Sequence, residues 1–360
     1  MSPDPLEPLD PTIGRRRFLQ VGAGALLCTI GGERVSLGRK GDAVKADAAA
    51  ARVKRPKALK PADPVDALTF GTPQPQPGGR AVEYWVQATT TRWPIVPTHR
   101  DGWHGVPVRG RTTFTATVYQ LMEPGFAAPA GPAAIPGPTL HAEVGDTLVV
   151  HFRNALRDLG QAATMHPHGV KYTPDYDGVY LGDLTRAGGF IAPGEEFTYT
   201  WECVPESVGV WPYHDHGPNH TLNTFRGMFG SVVVRPKGDR GPDVEQVLFL
   251  HQLQPPVTGL DRSFQCINGR AYAGNTPTIR AKPGQDVALH VIGMDNNFHD
   301  FHIHGHRWRD PSGTFTDTPG VGPGETITVR FVEDNPGRWL YHCHVFSHLD
   351  GGMAGWYLVE

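Results

Sequence analysis

Cysteine is scarce, with four residues in a chain of 360. Cys28 falls in an N-terminal leader, and Cys343 stands between two histidines, a setting typical of a metal ligand. Cys203 and Cys266 remain, as a candidate disulfide of an exported protein or as two free buried thiols. Sequence leaves both open, because a bridge depends on geometry. Long apolar runs are also missing. The run Val21–Ile30 is about ten residues, too short to cross a bilayer as a helix, so no membrane insertion is expected. No long helical period occurs outside the leader, which argues against a helical fold. The body lacks basic charge as well. Net charge is −3, but residues 1–60 hold 12 Lys/Arg against 6 Asp/Glu, leaving 21 against 30 in the remainder. An acidic body is a poor match for nucleic acid.

Glycine and proline are plentiful, 44 and 34 residues, as expected of many short strands joined by turns. The length and 39% hydrophobic content suffice for two domains, each with a core. Arg15-Arg16-Arg17-Phe18-Leu19 followed by a short apolar run resembles a twin-arginine export signal. That route carries folded proteins, which suits a cofactor loaded beforehand, and it places the mature chain in the periplasm or outside the cell. Leu27 is too bulky for a lipoprotein cleavage site before Cys28. Residues 31–64, rich in Ala, Lys, Arg and Pro without periodicity, read as cleaved leader and disordered linker.

The rest of the chain repeats itself. Pro138-Thr-Leu-His-Ala-Glu-Val-Gly matches Pro277-Thr-Ile-Arg-Ala-Lys-Pro-Gly. His166-Pro-His-Gly matches His302-Ile-His-Gly, and Pro193-Gly-Glu matches Pro323-Gly-Glu. Trp211-Pro-Tyr-His-Asp-His matches Trp339-Leu-Tyr-His-Cys-His, and Gly227-Met228-Phe-Gly matches Gly352-Met353-Ala-Gly. Five anchors in one order imply two copies of one domain. Each copy contains short β-branched or aromatic runs such as Thr147–Phe152 and Thr326–Phe331, bounded by Pro-Gly and Gly-Asp turns. The expected fold is all-β: two tandem β-sandwich domains of Greek-key type, over 65–236 and 237–360, after a leader and linker over 1–64. The boundary falls at the polar turn-rich stretch 235–242.

Eight of the 18 histidines form four His-x-His pairs: His166/His168, His214/His216, His302/His304 and His342/His344. Residues i and i+2 of a strand point to one face, so each pair aims two imidazoles at one place. Any single pair is most simply a surface strand; four at repeat-equivalent positions point to metal. Neutral imidazole suits copper, zinc, iron and nickel. Cys343 narrows the choice. With His299, His348 and Met353 it offers a thiolate, two imidazoles and a thioether, the ligand set of a blue-copper electron-transfer site. A structural zinc site rarely uses Met. Alternation turns Cys343 away from His342 and His344, so one segment can serve two metal centres. The first copy has Asp215 in place of Cys343 and Ala163 in place of His299, with Met228 and His220 as relics. His306 and His220 read as supporting or structural groups, and His99, His104, His141, His151, His251 and His290 as ordinary structural histidines.

These motifs resemble those of the multicopper oxidases, and the two-domain layout with blue copper only in the second is similar to the small laccases. The resemblance covers about residues 80–360. It implies cupredoxin-like domains and four coppers per functional unit. His166 and His302 would bind type 2 copper. His168, His214, His216, His304, His342 and His344 would bind the type 3 pair. His299, Cys343, His348 and Met353 would hold type 1. It further implies a homotrimer whose clusters lie between the first domain of one subunit and the second of the next. A small aromatic reducing substrate would give electrons near His348 or His299, and dioxygen would be reduced to water at the three-copper cluster. Tyr172 and Asp177 match positions that small laccases use for electron and proton delivery, although an aromatic packing role and a turn role are the plain alternatives. Asp317 is a further candidate. Oxidation of cuprous, ferrous or manganous ions competes with phenols and aromatic amines; six Met and no Met-rich insert weigh against a dedicated cuprous oxidase. A copper nitrite reductase would carry its blue copper in the first domain and lack the His-Cys-His set, and a copper-storage protein would not need that set.

Overall fold

The computed structural model describes residues 27–30, 33–36, 54–57 and 63–360. The twin-arginine motif and most of the linker lie outside the described residues. Within them, Leu27–Ile30 pairs antiparallel with Glu33–Ser36.

Each half of the body is a β-sandwich, as the repeat implies. In the first, one sheet runs Glu196–Glu202, Thr147–Asn154, Ala81–Pro94, Thr113–Met122, and the other Thr139–Glu143, Phe229–Arg235, Gly209–His214, His166–Pro167. In the second, the sheets run Phe264–Ile267, Val244–Leu253, Asp286–Gly293, Thr326–Val332, and Ile279–Ala281, Ala354–Val359, Gly337–Cys343, His299–Ile303, Gly320–Val321. Parallel pairs recur at matching places: Ala81–Pro94 with Thr147–Asn154, and Val244–Leu253 with Asp286–Gly293. Such pairs require crossovers between sheets, the Greek-key signature. Alternation sorts each strand. Leu148, Val150 and Phe152 point inward from Thr147–Asn154 and pack with Tyr199, Trp201 and Tyr213.

The duplication extends to individual bonds. Tyr213 donates its hydroxyl to Pro138 O at 2.7 Å, and Tyr341 to Pro277 O at 2.6 Å. Gly230 and Gly355 lie beneath these rings, where an added Cβ would come within 2.4 Å. His151, bonded to Thr198 and Glu83, and His290, bonded to Thr328 and Glu245, are a second matched set on the outer sheets.

A third core joins the halves. Trp93, Ile95, Phe114, Phe229 and Val233 pack with Phe249, Leu253, Phe264, Cys266 and Ile292. Polar contacts fasten the same seam. Trp93 donates Nε1–H to Gly269 O at 2.6 Å, the Arg270 guanidinium stacks 3.8 Å from the Trp93 ring, and Gly102 N donates to Ala273 O. Cys203 belongs to the first-half core and Cys266 to this shared core; both are free and buried, so the disulfide alternative is excluded. Each thiol packs as a small apolar group.

Trp93→Phe removes the donor to Gly269 O and leaves that carbonyl buried without it. A loss of about 1–3 kcal/mol in denaturant unfolding is expected; an unchanged midpoint would show that the seam does not depend on this bond.

Candidate metal centres

Three second-half side chains converge on one point. Cys343 ends the strand Gly337–Cys343, His299 opens the strand His299–Ile303, and His348 sits in the one-turn helix Phe346–Asp350. Their ligand atoms lie within 4.8 Å of one another and all three residues are buried. Cys343 Sγ is 3.5 Å from His348 Nδ1 and 3.8 Å from His299 Nδ1. Metal bonds of about 2.0–2.3 Å at trigonal angles put sulfur and nitrogen about 3.7 Å apart, so the spacing fits a His₂Cys copper site. Cys343 N donates to Met353 O at 3.1 Å, which brings the fully buried Met353 alongside. Burial opposes ionisation of the Cys343 thiol, but His299 and His348 overcome it and hold the thiol down at about 6. Burial likewise opposes the charge on His299, yet Asp295 and Cys343 raise it to about 9. Without metal, the pair keeps its proton on the imidazole. Asp295, itself buried, takes His299 Nε2 at 3.2 Å and so turns Nδ1 toward the sulfur.

The histidine pairs form two matching sets. His166 lies opposite His214 in the first half, and His302 opposite His342 in the second. His166, His168 and His214 converge within 4.8 Å, as do His302, His304 and His342. The Nε2 atoms of His168 and His214 are 3.1 Å apart, and those of His304 and His342 also 3.1 Å. Backbone carbonyls fix the tautomers: His166 Nδ1 meets Asp177 O and His302 Nδ1 meets Asp317 O, both at 2.8 Å. His214 Nδ1 meets Asp215 O and His342 Nδ1 meets Cys343 O. In these four rings Nε2 carries the lone pair. Burial, followed by the neighbouring histidines, lowers His168 to about 4; burial is also the main cause that lowers His214 to about 3 and His342 to about 4. Neutral imidazoles at neutral pH are what a copper cluster requires. His216 and His344 flank their sets, with rings 5.2 Å from His166 and 5.6 Å from His302. Among the described residues, no convergent group draws on both halves.

Cys343 therefore faces His299 and His348 while the adjacent His342 faces His304. Glycine makes the approach of each pair feasible. Gly169 and Gly305 follow them at φ +71° and +74°, and a Cβ at Gly169 would come within 2.0 Å of the Trp211 ring. Tyr172 and Asp177 border the first set. The Tyr172 ring is 5.9 Å from His166, its phenol raised by burial and by Asp177, and Asp177 Oδ1 is 3.1 Å from His166 Nδ1. Asp317 reaches His302 through its backbone oxygen; its carboxylate accepts from Thr318.

The first-half counterpart of the sulfur site is closed. Asp215 is fully buried and accepts from Thr164 N at 2.7 Å and Asn223 Nδ2 at 3.0 Å. Its backbone N donates to Met228 O at 3.1 Å, mirroring Cys343 and Met353. His220 stacks on His216 at 4.9 Å. His251 is buried, lowered to about 4 by burial, and accepts from Gly269 N. The carboxylates Asp295 and Glu333 belong to no motif; Asp295 stands four residues before His299, and Glu333 meets His306 from 27 residues away.

Two family profiles described as multicopper oxidase match residues 132–239 and 247–360. A probable nitrite reductase-hydroxylamine oxidoreductase fusion protein of Kuenenia stuttgartiensis is 32% identical over 244 residues, 63% of this chain and 28% of that protein. Ferroxidase HEPHL1 of Homo sapiens is 29% identical over 270 residues, 62% of this chain and 23% of its own. The chain thus spans about a quarter of the length of these curated relatives. Among solved structures, one described as a multicopper oxidase superposes with a TM-score of 0.62 at 25% identity, covering 80% of this chain and 92% of that one. A blue copper oxidase from Nitrosomonas europaea gives 0.58 at 25%, covering 78% and 86%.

Copper uptake at Cys343 must displace protons. Apparent affinity should rise about tenfold per pH unit between about 6 and 9, where one proton leaves, and more steeply below 6. Chelator competition on copper-free protein at several pH values measures this; a pH-independent affinity would contradict the ligand assignment.

Proposed function

The chain belongs to the multicopper oxidase family, and from that premise we propose that it is a laccase-like oxidase of phenols and aromatic amines with dioxygen as acceptor. The observation that carries this reading is Cys343, whose sulfur faces His299 and His348 while the next residue in the chain, His342, faces the second histidine set. His299, Cys343 and His348, with Met353, would hold one copper; the eight paired histidines would hold the others. Copper bound at these places would supply four successive one-electron oxidations at the sulfur site and the four-electron, four-proton reduction of dioxygen to two waters at the histidines.

The chain's own residues shape the rest. The Cys343–His342 and Cys343–His344 peptide links offer a covalent route between the two centres. His299 is fully buried while His348 is 8% exposed, so His348 is the ring that a donor reaches. Phe346 and Phe298, beside these ligands, are 69% and 73% exposed and give an apolar rim suited to aromatic donors. Tyr172 and Asp177 would deliver protons beside His166. Ferrous or another metal-ion oxidation is the second reading, supported by the ferroxidase relative.

Each half offers half of a cluster, and the shared core fixes the halves against each other. A complete set would then form between the first half of one subunit and the second half of a neighbour, and head-to-tail contacts of this kind close into a ring, here a homotrimer. The twin-arginine leader would export the folded, loaded chain.

Dioxygen uptake with a phenol, an aromatic amine, ferrous ion and nitrite compares the readings. Uptake with the organic donors is expected, and Cys343→Ser should abolish it with every donor; turnover of nitrite without dioxygen would sink the proposal. Tyr172→Phe and Asp177→Asn should slow uptake about 100–10,000-fold at unchanged copper content, whereas Asp317→Asn, which keeps the carbonyl on His302, should have little effect. Mixing His214→Ala chains with His342→Ala chains should restore about a quarter of the activity if clusters form between subunits; no restoration would place each cluster within one chain.

A further inference from the structure

The duplication supplies an internal control for one buried group. Strand register sets Val232 opposite Trp211 in the first half and Tyr357 opposite Trp339 in the second. Cys203 N donates to Asp146 O, and Glu333 N to Gln285 O, at matching places. Two residues beyond His168 and His304 stand Val170 and His306. The first half therefore fills this spot with Val170, Cys203 and Val232, all buried in its core. The second half fills it with His306, Glu333 and Tyr357, also buried.

The polar trio is fully bonded. His306 Nε2 lies 3.1 and 3.2 Å from the Glu333 oxygens, Asn335 N donates to Oε1 at 2.8 Å, and Tyr357 donates its hydroxyl to Oε2. The Glu333 side chain is 0% exposed and that of His306 2%. An imidazole–carboxylate pair in this position is expensive to bury, and the same fold manages without it one repeat earlier, so the sandwich itself does not require it. What the trio touches suggests its use. His306 Nδ1 donates to the backbone oxygen of His304 at 2.8 Å, and Asn335 Nδ2 donates to Gly305 O at 3.0 Å. His304 and Gly305 are exposed, while His168 and Gly169 are half-buried. The histidine turn of the second half is thus clamped from beneath by His306 and Asn335.

We propose that Glu333 and His306 are positioning residues that hold His304 in ligating geometry. This rests on the reading that His304 binds copper. Removing such a support behind a ligand lowers metal affinity about 10–100-fold. The test compares wild type, Glu333→Gln, and a triple variant carrying the first-half residues (His306→Val, Glu333→Cys, Tyr357→Val). Copper content, the blue band of the sulfur site, the near-ultraviolet band of paired copper, and melting of the copper-free chains are recorded. The expected result is an intact blue band with loss of the near-ultraviolet band and of about 10–100-fold in copper affinity at the histidines, while the copper-free chains still unfold in one cooperative transition. Glu333→Gln preserves shape and gives the same reading should the triple variant not fold. Full near-ultraviolet bands in Glu333→Gln would overturn the positioning role alone; a wild-type protein lacking that band would overturn the underlying functional reading as well.

Discussion

Side chains on a strand alternate, and at residues 342–344 this alternation separates two chemistries by a single peptide bond. The sulfur of Cys343 enters a buried trio with His299 and His348, and the neighbouring imidazole of His342 meets His304. The strand must stay straight and in register for this to work. Pairing with His299–Ile303 on one side and Ala354–Val359 on the other enforces it. A slip of one residue would send the sulfur to the wrong face.

A second constraint comes from the seam. Apolar residues of both halves share one core, and Trp93, Arg270 and Gly102 fasten its edges. Such a core does not hinge at low cost. The orientation of the two histidine sets is therefore part of the folded chain rather than something a ligand must organise, which suits an assembly in which subunits meet ready-made faces.

Much of the site was legible because its signals are local. His-x-His spacing survives in sequence as it does on a strand, and the five repeat anchors correspond to bonds such as Tyr213 to Pro138 and Tyr341 to Pro277. What sequence hid belongs to no motif. Asp295 touches His299 from four residues away and Glu333 touches His306 from 27. The backbone oxygens of Asp177 and Asp317 play equivalent roles toward His166 and His302, but the short hairpin of Trp308–Arg309 and Phe315–Thr316 lies between His302 and Asp317 and disguises the match. Cys203 and Cys266 invited pairing on paper, yet they sit in different cores.

Asp215 has a consequence for direction. Bonded on several sides by Thr164 and Asn223, it cannot be exchanged for a sulfur without stranding those donors, and Ala163 offers no imidazole beside it. On the proposed reading, two live sulfur sites would give every histidine junction two feeds. The sealed first copy leaves one, so each junction would draw its electrons from the second half alone, and a duplicated fold has divided its labour.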